Sequence, residues 1–207
     1  MSTDIHGGIE FRHPGVGTDH YDGEPWVAAM DLWPLYDETD YAAFGCLFGV
    51  RNYAGFPPLA PDRGLPADLS SGMRSQLEPW VSSGHLHGAS WVSWAELASL
   101  DPGASPDHFI GRLTWRTTSL PSTLRQQLVS DPWPPEALSA AGTPPADVRS
   151  ATRRVEWSTG EVMCAYEPLT VGAVLGPGTH WPHVFAVMKA LAGRFGDDGV
   201  RLVVAFD

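Results

Sequence analysis

The last nine residues, GVRLVVAFD (199–207), constrain the fold of this chain more than any other stretch. Val200, Leu202, Val203, Val204, Ala205 and Phe206 form a nearly continuous apolar run, so both faces of the strand they make must be buried. Such a strand belongs in the centre of its sheet. Just before it, WPHVFAVMKALAGRF (181–195) repeats its apolar residues at helical spacing, through Trp181, Val184, Phe185, Met188, Leu191, Ala192 and Phe195. Pro182 suits the first turn of that helix and Gly196 the position just past its end. A C-terminal helix–strand unit is therefore expected.

The rest of the chain reads as short, mixed elements. DIHGGIEFR (4–12) alternates apolar Ile5, Ile9 and Phe11 with Asp4, His6, Glu10 and Arg12, the period of a half-buried strand, which puts Asp4 and His6 on one face. A second strand is expected over 25–32. Asp40 can cap a short helix, YAAFGCLFGV (41–50), whose apolar content on all sides requires burial. RNYAGFPPLAPDRGLP (51–66), with four prolines and two glycines, excludes regular structure and places Arg51 and Asn52 at the mouth of a loop.

A polar helix is expected over 69–82. Ser93 to Glu96 is an S-x-x-E capping box opening a helix that runs to about Leu100, so His85 and His87 lie in a loop or short strand between Gly84 and Gly88. FIGRLTWRTT (109–118) fits a strand, PSTLRQQLV (121–129) a helix with Pro121 at its first position, and about 131–147 a proline-rich surface excursion. ATRRVEWSTGEVMCAY (151–166) reads as a hairpin turning at 158–160. Without a regular βαβ rhythm, the pattern predicts a single α+β domain over 1–207, with one mixed or antiparallel sheet, a buried short helix and the C-terminal unit.

Composition narrows the function. A net charge of −11 repels phosphate backbones, which argues against a nucleic-acid partner. Nine acids stand among residues 1–40 against the single base Arg12, reading first as a solvated acidic face. Cys46 and Cys164 sit in apolar segments without C-x-x-C spacing, as core residues of a reducing compartment do. No apolar run approaches the ~18 residues of a membrane span, so no membrane partner is expected, and MSTDIHGG lacks the marks of a signal peptide, which points to the cytoplasm. The sequence leaves the oligomeric state open.

Two chemistries remain for the polar residues. His85 and His87, at i and i+2 in extended chain, point to one side and can share a divalent ion such as Zn, Mn or Fe, with Asp4 and His6, His180 and His183, or Asp207 as candidate further ligands among which the spacing does not choose. Alternatively, His6 and His87 move protons while Arg51 holds a phosphate, a carboxylate or a developing oxyanion, with Asn52 or Ser90 as hydrogen-bond donors.

DIHG at the start, FGCLFGVRNYAGF, DRGLPADLS, a histidine shortly before SW, and VFAVMKAL with DDGVRLVVAFD at the end together resemble an uncharacterised family of phage and actinobacterial proteins. The resemblance covers most of the chain and implies no activity. It singles out Asp4 to His6, Arg51 to Tyr53, and His87 four positions before Trp91, adding Tyr53 and Trp91 as substrate-binding candidates.

Two functional classes follow. One is a small intracellular hydrolase or transferase acting on a phosphate- or acyl-bearing small molecule through His6, Arg51 and His87, with or without a metal ion. The other is a non-catalytic phage or host accessory module that binds a small ligand or a protein partner. The first requires those three side chains to gather within ~10 Å at a water-accessible concavity.

Overall fold

The structure, a computed structural model, describes residues 3–118, 121, 123–146, 148 and 151–207. The C-terminal strand β8 (Val200–Phe206) is buried at every position. It lies inside a four-stranded antiparallel sheet of order β2-β1-β8-β3, between β1 (Ile5–Arg12) and β3 (His87–Ser93), with β2 (Trp26–Asp31) outside β1. Both faces of this sheet are covered, as the apolar run of β8 demands. Helix α2 (Ser71–Ser82) covers one face with Met73 and Leu77 against Val203 and Ala205. The opposite face meets α1 (Tyr41–Phe48), α5 (Val171–Leu175) and α6 (Trp181–Phe195), whose Phe44, Leu47, Trp181, Val184 and Met188 pack with Ile5, Ile9, Leu202, Val204 and Phe206. Each large apolar side chain buried there contributes about 1.5–3 kcal/mol.

Local signals act where the sequence places them. Asp40 accepts from the amides of Ala42 and Ala43 at the start of α1, and Ser93 and Glu96 form a reciprocal capping box on α3 (Trp94–Ala98). Ser70 caps α2 through the amide of Met73.

The remaining strands form a second antiparallel sheet instead of extending the first. Its order is β5-β4-β7-β6, with β4 (Gly111–Thr117), β5 (Leu124–Val129), β6 (Val155–Thr159) and β7 (Val162–Pro168). Two expectations are corrected here. The segment expected as a helix from Pro121 is strand β5, because six consecutive residues pair with β4 and that long-range pairing overrides a local N-terminal signal; residue 122 lies outside the described residues. The stretch expected as a surface excursion over 131–147 contains helix α4 (Pro135–Ala141), and Trp133, Ala137, Ala141 and Val148 are buried against Leu113, Cys164 and Tyr166. Prolines there start a helix that caps the second core; residue 147 lies outside the described residues. Phe109 and Leu128 reach from this lobe to the first core, which joins the two into one domain.

Candidate functional site

Helix α1 positions Arg51, an exposed polar group of the predicted site. It ends at Gly49 in the left-handed region, φ 76°, and two residues later Arg51 also adopts a positive φ, 47°. A non-glycine residue held there carries local strain of order 1–3 kcal/mol, a pattern that clusters at functional sites. Among the described residues the guanidinium is held by neutral groups only: Nε donates to Thr3 Oγ1 at 2.7 Å, Nη1 donates to the Tyr53 hydroxyl at 3.2 Å, and the Tyr41 ring lies 5.5 Å away. The Tyr53 bond raises an already high pKa, so the charge is permanent. Several of its N–H groups remain unspent.

Arg51, Tyr41 and Tyr53 form one wall of a cleft of about 670 Å³ between the two lobes. The opposite wall is Arg112 on β4 with Gln126, Gln127 and Leu128 on β5. Arg112 stands across from Glu167 in the ladder, but that carboxylate is engaged by Arg154 at 2.7 Å. Among the described residues Arg112 has no acidic partner. Two acids line the cleft as well: Asp40, which caps α1, and Glu38, which lies 3.6 Å from the His180 imidazole. The cleft thus offers two arginines with free donors, one beside Tyr41 and Tyr53 and the other across from them on β4.

The histidines lie elsewhere. His6 pairs with Ala205, which packs under α2, whereas His87 pairs with Phe206, which packs under Phe44 and Phe48 of α1. Neighbouring positions on β8 project to opposite faces, so the two imidazoles leave opposite sides of the sheet. His6 Nε2 lies 3.4 Å from Asp207 Oδ2, and Asp207 Oδ1 accepts from the Asp4 amide at 2.7 Å. That backbone bond, with the His6 contact, holds the Asp207 carboxyl below its ordinary range. Asp4 in turn accepts from Thr39, which lines the cleft. Neither His6 nor His87 is among the cleft-lining residues.

The expected metal set is dispersed as well. His85 sits in the turn after α2, with Nδ1 at 2.8 Å from Ser83 Oγ and its ring edge-on to Trp80, so it is not in extended chain with His87. Among the described residues no group of three or more His, Cys, Asp or Glu side chains converges as metal ligands. Asn52 and Ser90 serve the fold: Asn52 closes the 52–56 turn through the amides of Gly55 and Phe56 and the carbonyl of Phe56, and the buried Ser90 hydroxyl donates to Ala60. Burial pushes the Cys46 thiol up to about 12 and raises that of Cys164, which leaves both protonated and inert.

Trp91 belongs to a second cleft, of about 890 Å³, built around a buried charge cluster that sequence reasoning missed. Arg201 on β8 donates from Nε to Glu10 and from Nη1 to Asp68, each at 2.8 Å, while its guanidinium lies 3.9 Å over the Trp26 ring. Trp91 lies between Arg201 and Arg63, and Arg63 is paired with Glu96 at 2.6 Å. Burial works against the Asp68 charge, yet the bonds from Arg201 and Trp26 outweigh it and lower its pKa. Every arginine here is spent on a carboxylate, so this cleft ties the 63–70 loop to the sheet.

Comparisons with protein-family models, with curated proteins and with solved structures find no match to this chain.

Proposed function

We propose that the protein binds a ligand carrying a phosphate or carboxylate group in the cleft between its lobes. The observation that carries this reading is the pair Arg51 and Arg112, which face one hollow without carboxylate partners among the described residues. Planar guanidinium groups with unspent donors recognise such anions bidentately. Tyr41 and Tyr53 supply the apolar walls, and Gln126 and Gln127 supply neutral donors and acceptors for the rest of the ligand.

Titration calorimetry with pyrophosphate and with succinate tests it. Arg51→Ala and Arg112→Ala should each weaken binding about tenfold or more, while His87→Ala leaves it unchanged; wild-type protein that binds neither anion overturns the reading.

The hydrolase or transferase reading draws on one further observation, the imidazole of His6 oriented by Asp207. Turnover of aryl phosphates or aryl esters that is lost in His6→Ala and kept in His87→Ala would establish it; no turnover leaves the binding module.

A further inference from the structure

Strand β5 is, with β6, one of the two outer strands of the second sheet, and its edge, which pairs with no further strand among the described residues, separates two hollows. Leu128 lines the inter-lobe cleft, whereas Arg125 lines a hollow of about 800 Å³ on the α4 side, bounded by Trp115, Glu136 and Ala140; Gln126 and Gln127 line both. The bond from the Thr117 amide to the Thr123 carbonyl fixes the alternation of the ladder, so residues 123, 125 and 127 turn their main-chain groups toward β4. Leu124, Gln126 and Leu128 therefore present theirs outward. The edge is straight: its six pairs with β4 run without a register shift, whereas β2 and β3, the outer strands of the first sheet, both carry one. Bulged edges resist further pairing and a regular edge accepts it.

The charge around this edge is distinctive. No acid occurs between Asp107 and Asp131, and Arg112, Arg116 and Arg125 fall in that interval of a chain with net charge −11. Arg112 and Arg125 have no acidic partner among the described residues, and Glu136 faces the N-terminus of its own helix, in the first turn of α4.

We infer that the ligand is an extended acidic segment of a partner protein, which adds to β5 as a fifth strand. The inference deepens the proposed binding function and rests on it. An added strand takes up the outward amides and carbonyls of Leu124, Gln126 and Leu128, and its alternate side chains enter the two hollows in turn. Carboxylates on one side meet Arg51 and Arg112, and on the other Arg125.

The probe is a fluorescein-labelled octapeptide of Glu and Thr, read by fluorescence anisotropy against the intact protein. A version with Lys in place of Glu and a version methylated at alternate backbone nitrogens should both bind at least about tenfold more weakly. Gln126→Pro removes an outward amide without touching the β4 ladder and should weaken the peptide to the same degree; circular dichroism checks that the variant folds, and the methylated peptide needs no variant. Arg125→Glu should weaken the peptide and leave pyrophosphate binding unchanged, because Arg125 lies outside the inter-lobe cleft. If pyrophosphate binds and the peptide does not, or if the methylated peptide binds as well as the parent, strand addition is wrong while the anion cleft stands. If neither binds, both readings fall. Tighter binding of a single-stranded oligonucleotide than of the peptide, unaffected by Gln126→Pro, also overturns the inference.

Discussion

Glu10 and Arg201 are nearly inaccessible, with side chains 0% and 4% exposed, and each satisfies the other. Glu10 also accepts from the Ser70 amide, which fixes the cap residue of α2. Removing the Glu10 charge leaves the buried Arg201 guanidinium with the partly exposed Asp68 as its remaining counter-charge, and removing Arg201 leaves Glu10 buried with none. Glu10→Gln should therefore cost about 3–5 kcal/mol in urea unfolding, and the double variant Glu10→Leu/Arg201→Leu should recover a large part of it. Glu96 obeys a different balance. Its bond from Arg63 and the Ser93 groups outweigh partial burial and hold its pKa at about 2, below the ordinary 4.5. A carboxylate depressed in the folded state adds stability above its unfolded value, and this is lost as pH falls from 4.5 toward 2. The urea midpoint should fall between about pH 5 and about pH 3, and Glu96→Gln should lose part of that fall.

At the scale of elements, α1 is eight residues long and draws its stability from its cap and its burial. Asp40→Ala should cost about 0.5–2 kcal/mol, seen as a lower melting temperature. Strand β5 shows where element reading fails. Leu124 to Val129 fit a helix opened by Pro121 as well as a strand, and only a partner as distant as β4 makes the extended form the better one. The helix α4 inside the proline-rich stretch was hidden for a related reason. Pro135 is a sound first-turn residue, yet nothing local indicates that Trp133, Ala137 and Ala141 find a core to cover.

The whole molecule sets two lobes against each other and puts functional groups where they meet. Arg51 leaves α1 of the first lobe and Arg112 leaves β4 of the second, so their shared cleft exists only because Phe109 and Leu128 dock the second lobe on the first core. No helix among the described residues is long and apolar enough to cross a membrane. The dispersal of the histidines has a consequence at this scale: treatment with EDTA should leave the melting temperature unchanged, within about 1 °C, since a ligand bound to the folded state alone would raise it. A clear drop after chelation, reversed by zinc, would show a metal site that the described residues do not form.

The sequence by itself determined the elements whose cause is local. A nearly continuous apolar run, broken at Arg201, placed β8 in the centre of its sheet, Asp40 and the Ser93–Glu96 box started α1 and α3, and α+β order followed from the lack of a βαβ rhythm. A proline-rich loop after a buried helix exposes whatever polar residues begin it, which singled out Arg51 and Asn52, whereas Tyr53 entered only through the resemblance. Tertiary structure alone decided the rest: that the strands divide into two sheets, that Arg112 comes to Arg51, and that His6 and His87 leave opposite faces. Period and capping act over a few residues, whereas which strand pairs with which, and in what register, is set by partners about a hundred residues or more apart in some cases, as His6 with Ala205 and His87 with Phe206 show.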